Sequence, residues 1–262
     1  MYDEKHILFL ILSLLIAGCK NEGSPKDQPE EVKVDSNAVK YTLTPFSPSK
    51  EFNDASLKAM AYIGGTFSTV IGGASYKLGE QTSDATEKQC ANSKEGQHLH
   101  VILDNEPYVA KYESSFTLDI PDGDHHLLCF LSRSYHESIK TAGAHRAAMI
   151  TVKNKSITKS TEITDPMLFY SRPKGLYTGD DTKKVMLDFY LVNAELSKYK
   201  VEANINGEKH LIDKWQPYYI EGLPEGDNTI TLTLLDSTGM VAKVPLNPVT
   251  RKFQIEKTPA VK

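Results

Sequence analysis

The sequence predicts an all-β chain: two tandem β-sandwiches behind a signal peptide and a flexible tether. Three features carry this. Short runs of alternating apolar and polar residues are separated by Gly, Pro, Asn and Asp, the pattern of half-buried strands joined by turns. Past the N-terminal apolar run, no long segment follows helical spacing. One block also repeats. Residues 98–133, HLHVILDNEPYVAKYESSFTLDIPDGDHHLLCFLSR, share with residues 200–236, KVEANINGEKHLIDKWQPYYIEGLPEGDNTITLTLLD, the order strand, turn, aromatic strand, Pro-acid-Gly-Asp turn, strand.

In chain order, residues 7–17 form an apolar run that is too short for a spanning helix and suits a signal-peptide core. Leu15-Ile16-Ala17-Gly18-Cys19 resembles a bacterial lipobox, in which the signal (1–18) is cleaved ahead of a cysteine that is then lipidated. Asp3 and Glu4 offset Lys5, a departure from the basic start of such signals. Residues 19–50 read as a disordered tether, because residues 20–40 are polar and charged with few bulky apolar side chains. Lys20 stands where an aspartate would retain the protein at the inner membrane, so the resemblance implies a lipid anchor in the outer membrane. The two copies of the repeat begin about 100 residues apart, the size of an immunoglobulin-like sandwich. The sandwiches are therefore expected at 51–168 and 175–257. The Gly-, Pro- and Asp-rich stretch from Asp165 to Thr182 is expected to join them.

Net charge is −4 over 262 residues with both signs interspersed, which gives no basic face for nucleic acid. With Cys19 taken by lipid, Cys90 and Cys129 remain. An even pair in an oxidising compartment reads as a disulfide, but the repeat argues against it. In the second copy Ile230, Leu232 and Leu234 alternate with threonines, so the apolar set faces the core. Transferred to the first copy, this points Leu127, Cys129 and Leu131 inward, with Cys129 in the place of Leu232. Disulfide and buried thiol both stay open.

The same transfer turns His126, Leu128 and Phe130 outward, together with His98 and His100. Such a face is expected to be covered by a loop, the other sandwich or a ligand. Six of the eight histidines fall between 98 and 145. Histidines two apart on one strand point the same way, so His98, His100 and His126 are candidate ligands for Cu or Zn, with His136 or His145 completing the set. The plain alternative is polar surface. The loop after Leu131 offers Arg133, Tyr135, His136, Lys140, His145 and Arg146 as candidate ligand-binding residues, a set suited to a carboxylate, phosphate or sugar. Trp215, Tyr218 and Tyr219 fit either a sugar platform or core packing. His136-Glu137-Ser138-Ile139-Lys140 lacks the second histidine of a zincin helix, and no nucleophile elbow or catalytic triad spacing exists. No catalytic residue is assigned, and no enzyme activity is expected.

Three stretches carry a family resemblance: Tyr76 to Thr82, Gly96 to His100, and Phe130 to Ser138. They are similar to uncharacterised Gram-negative envelope lipoproteins with immunoglobulin-like β-sandwich domains. Gly123-Asp124-His125-His126-Leu127 also resembles the Gly-x-His-x-Leu strand of small periplasmic β-sandwich domains. The resemblance implies fold and location and brings no activity. The expected role is non-catalytic binding, with the membrane as partner through the lipid and an envelope protein or small ligand as the other. A Cu/Zn module and a purely structural component are the alternatives.

Overall fold

The computed structural model describes residues 41–257. The signal, Cys19 and the tether up to residue 40 lie outside the described residues. The strands are β1 (Thr42–Pro45), β2 (Ser56–Ile63), β3 (Thr66–Gly72), β4 (His98–Leu103), β5 (Val109–Lys111), β6 (Ser115–Thr117), β7 (Gly123–Ser132), β8 (His145–Lys153) and β9 (Ser156–Glu162). They continue as β10 (Met167–Arg172), β11 (Gly175–Thr178), β12 (Val185–Val192), β13 (Lys200–Ile205), β14 (Glu208–Ile212), β15 (Tyr218–Glu221), β16 (Gly226–Leu235) and β17 (Val249–Glu256). Among the described residues, a short α-helix, α1 (Ala85–Lys88), and two 3-10 turns, Ala142–Ala144 and Gly179–Thr182, interrupt them.

These strands form two tandem sandwiches. In the first, the sheet β2-β3-β6 packs on the sheet β5-β4-β7-β8-β9. In the second, β1-β15-β12-β10 packs on β11-β17-β16-β13-β14. The repeat is visible in the register. Val101 pairs with Cys129 as Ala203 pairs with Leu232, on matching antiparallel ladders β4–β7 and β13–β16. Leu127, Cys129 and Leu131 lie in the first core and Ile230, Leu232 and Leu234 in the second, as the alternation requires. Cys90 and Cys129 are both free and buried, and burial raises the pKa of each thiol.

The outward face of the first sandwich is covered by the second. Ile102, Leu128 and Phe130 pack with Met167, Phe169, Tyr190 and Val192 in a third apolar cluster. The sheet β1-β15-β12-β10 is thus apolar on both sides: along β10, Met167 and Phe169 meet the first sandwich while Leu168 and Tyr170 enter the second core. A strand buried on both faces reads as a continuous apolar run without alternation. For that reason the expected connector at 165–182 is in fact mostly structure, containing β10 and β11. A first sandwich ending at 168 and a second beginning at 175 would cut β10 in two and leave it out of the sheet it pairs in with β12.

The tether also ends earlier than residue 50. Thr42 to Pro45 pair with β15, from Glu221 to Tyr218, and Phe46 is buried beside Tyr135 and Tyr219. These residues alternate over only four positions, and their partner lies about 180 residues downstream, so no local pattern marks them.

Asn105, in the β4–β5 turn, ties the sandwiches together. Its backbone is left-handed (φ 59°), a conformation asparagine tolerates better than most residues. Its amide nitrogen donates to the Leu168 carbonyl at 2.8 Å and its amide oxygen accepts from the Tyr170 N–H at 2.8 Å. It therefore acts as a neighbouring strand would. Asn105→Ala is expected to cost about 2–3 kcal/mol, since two buried backbone groups lose their partners; a urea denaturation midpoint unchanged from wild type would contradict this.

Candidate metal centre

His98 and His100 alternate along β4 on the face turned away from the first core, and both are fully buried. On the neighbouring strand, Phe130 lies opposite His100 and Ser132 opposite His98. Past Ser132 the chain turns back on itself, and Ser138 bridges to Ser132. Within this turn the His136 N–H donates to the Arg133 carbonyl and the Arg133 N–H to the Glu137 carbonyl, each at 2.9 Å. His136 takes a left-handed backbone, φ 70°. A non-glycine residue held there costs about 1–3 kcal/mol and persists when its surroundings fix it. Here the Ser134 N–H donates to Thr82 Oγ1 at 2.9 Å, the Tyr135 ring is buried, and the Ser138 N–H donates to Asp188 Oδ2 at 2.9 Å. The turn thereby lays His136 over β4.

Three imidazoles converge as a result. His98 Nε2 lies 2.9 Å from His100 Nε2 and 3.0 Å from His136 Nδ1, and one ligand nitrogen from each of the three rings falls within 4.8 Å of the others. His98 Nδ1 sits 2.8 Å from the Gly96 carbonyl. A carbonyl can only accept, so that nitrogen carries the proton and Nε2 presents a bare lone pair. His100 Nδ1 is 3.4 Å from Ser171 Oγ, and its ring stacks on Tyr108 with centroids 3.6 Å apart. A second hydrogen bond that orients the ring is what metal-bound histidines ordinarily have. Bonds of 2.0–2.1 Å to a tetrahedral ion would place nitrogens about 3.3 Å apart, within the range seen here.

Electrostatics keep the rings neutral. Burial, above all, lowers the His98 pKa to about 4, the nearby Arg172 and Lys174 working in the same direction against the Gly96 hydrogen bond. Burial also lowers His100 well below the usual imidazole value, helped by His98 and His136. His136 is lowered likewise, by burial and then by Arg172. Neutral imidazole is the form that binds metal.

The structure separates this trio from the one read in the sequence. His126 shares the outward face but lies four residues along β7 from Phe130, about 13 Å at strand spacing. There its N–H donates to Asp104 Oδ1 at 2.8 Å. His136 takes its place. His145 opens β8 across from Phe130 and packs its ring on Tyr190, with centroids 4.9 Å apart. Alternation tells which face a residue occupies, not how far along it lies.

The proposed binding loop is largely structural. Arg133 donates from Nε and Nη2 to the Lys50 carbonyl at 3.0 and 2.6 Å. Tyr135 packs in a small core with Phe46, Cys90, Met186 and Tyr219. Lys140 pairs with Asp188 at 2.6 Å. Arg146 donates to the Leu57 and Lys58 carbonyls and, with His145, lines an open cleft of about 560 Å³. Of the six, His136 alone joins the histidine centre. Trp215 donates to the Phe189 carbonyl at 3.1 Å and packs edge-on to Tyr190, while Tyr218 and Tyr219 are buried; these aromatics pack the core. Sequence reasoning missed Tyr108, Ser171, Arg172 and Lys174. The apolar run Met167 to Tyr170 followed by Arg172 and Lys174 was the available signal.

No family model and no curated protein matches the chain. Among solved structures, it is similar to the fibronectin(III)-like modules of Clostridium thermocellum CbhA, at 16% identity over 35% of this chain and 99% of that one, TM-score 0.28. It is also similar to the central fibronectin-III array of RIM-binding protein, at 10% identity over 80% and 72%, TM-score 0.27. A third is SGBP-B of the Bacteroides ovatus mixed-linkage glucan utilization locus, in complex with mixed-linkage heptasaccharide, at 13% identity over 84% and 48%, TM-score 0.19. At these scores the likenesses carry no inference about ligand or activity.

Proposed function

We propose that this chain is a lipid-anchored envelope protein that binds a transition metal, Zn(II) or Cu(II), at His98, His100 and His136. The convergence of His98, His100 and His136, with one ligand nitrogen from each within 4.8 Å of the others, carries the reading. Nitrogen ligands favour these ions over magnesium or calcium, which prefer oxygen. Three protein ligands leave a fourth position open. The protein's part is to hold the ion on a rigid strand and a fixed turn between two sandwiches, a binding role.

Calorimetric titration of Zn(II) and Cu(II) tests this. Wild type is expected to take one ion. The His98→Ala, His100→Ala double variant and the His136→Ala variant are each expected to lose on the order of 100-fold in affinity or more, exceeding the 10–100-fold typical of an outer-shell change. His126→Ala should bind as wild type does. Equal, weak binding by all four proteins would end the metal reading.

The anchor rests on Leu15 to Cys19. Cys19→Ser is expected to release the protein from membranes or leave it unprocessed. An intact mass showing unmodified Cys19 in wild type would refute the anchor.

A further inference from the structure

Tyr108 stands just ahead of β5, which pairs with β4 on the side away from β7, and is 3% exposed. Its ring stacks on His100, with centroids 3.6 Å apart and planes 9° from parallel. The Lys174 ammonium covers the opposite face at 3.9 Å from the centroid and donates to the Tyr108 carbonyl at 2.7 Å. Held on both faces, the ring is free to slide only in its own plane. The hydroxyl at the end of that ring faces the trio. Tyr108 Oη lies 3.4 Å from His136 Nδ1 and has no other hydrogen-bond partner among the described residues.

That separation is long for a hydrogen bond, which falls at about 2.7–3.2 Å between nitrogen and oxygen. It is the spacing of two ligands on one tetrahedral ion, about 3.3 Å for bonds near 2 Å. Charge points the same way. Three neutral imidazoles leave both charges of a divalent ion uncompensated, and no carboxylate joins them among the described residues. Asp188 is occupied by Lys140 and the Ser138 N–H, and Glu137 by Ser49 and Arg133. Tyr112 also packs beside the trio, its ring 4.9 Å from His98, but its hydroxyl is committed to Ser93 Oγ at 2.7 Å. The Tyr108 hydroxyl is uncommitted.

We propose, building on the metal reading, that Tyr108 Oη is the fourth protein ligand, so that three imidazole nitrogens and one phenolate oxygen enclose the ion. The ion takes the place of the phenol proton, which leaves to solvent, and the phenolate cancels one of the two metal charges. The position that the histidines leave open is thereby filled from within the chain. A site closed by four protein ligands holds its ion without offering a place for substrate, in keeping with a binding role. His136 is partly exposed, which gives the ion a way in.

Cu(II) is the probe, because a phenolate bound to it gives a visible charge-transfer band that imidazole ligands alone do not give. Cu(II)-loaded wild type is expected to show that band, and Raman scattering excited within it should carry tyrosinate ring modes. Tyr108→Phe keeps the stacked ring and loses only the hydroxyl. It should still take one Cu(II), about tenfold or more weakly, with neither band nor ring modes. Tyr112→Phe should keep both. A band that persists in Tyr108→Phe, or that disappears in Tyr112→Phe, would overturn the assignment. The wild-type Raman spectrum decides without any variant: Cu(II) bound with no tyrosinate modes would overturn the fourth ligand and leave the metal reading intact. Failure of wild type to take up either Cu(II) or Zn(II) would remove the metal reading, and this inference with it.

Discussion

Asp188→Ala is expected to destabilise the protein by about 3–5 kcal/mol, the cost of leaving one member of a buried ion pair behind. Asp188 is fully buried on β12, where its carboxylate accepts from Lys140 Nζ at 2.6 Å and from the Ser138 N–H at 2.9 Å. The Lys140 side chain is 16% exposed, so solvent cannot replace the lost charge in full. Asp188→Asn keeps a hydrogen-bond acceptor and loses the charge, and should fall between alanine and wild type. Because Ser138 closes the turn that carries His136, both variants should also weaken metal binding. Urea denaturation midpoints check the first effect. A loss below about 1 kcal/mol, the worth of an exposed pair, would mean that water reaches Lys140 freely.

The second large effect is loss of stability in acid. The His98 pKa falls from 6.5 in the unfolded chain to about 4 in the folded one, and His100 and His136 move the same way. A base whose folded pKa is depressed binds more protons unfolded than folded. Its stabilising contribution is therefore complete above pH 6.5 and is lost as pH falls from 6.5 through the folded value. For fully buried His98 this amounts to roughly 3 kcal/mol, at 1.36 kcal/mol per pKa unit. His100 adds to it, and His136, which reaches solvent, adds less. Metal-free protein followed by urea unfolding between pH 7.5 and 4 should lose stability steadily across that window. The His98→Gln, His100→Gln double variant should show a flatter profile. A wild-type profile that is flat from pH 6.5 to 4 would contradict neutral, buried imidazoles.

Much of the site was legible because strands have a period of two. Threonines alternating with Ile230, Leu232 and Leu234 identified the inward face of one ladder, and the repeat carried that facing to Cys129 and to His98 and His100. Three things escaped. The position of His126 along β7 depends on register, which alternation does not encode. The arrival of His136 depends on a left-handed turn fixed by Thr82 and Asp188, residues far away in sequence. Arg172 and Lys174 were hidden in a segment whose Gly, Pro and Asp content resembles a connector, while its apolar run belongs to a strand covered on both faces. Strand β1 was missed for a related reason: its four residues find their partner across most of the chain.

That first strand decides how the molecule would bear a load. A pull on the chain ahead of Tyr41 enters the fold at β1, whose hydrogen bonds run to β15, so tension passes first into the second sandwich. Strand β2 of the first sandwich begins only at Ser56 and feels the force once β1 has peeled away and Phe46 has left its pocket. The edge ladder is a mechanical fuse, and the histidines sit behind it.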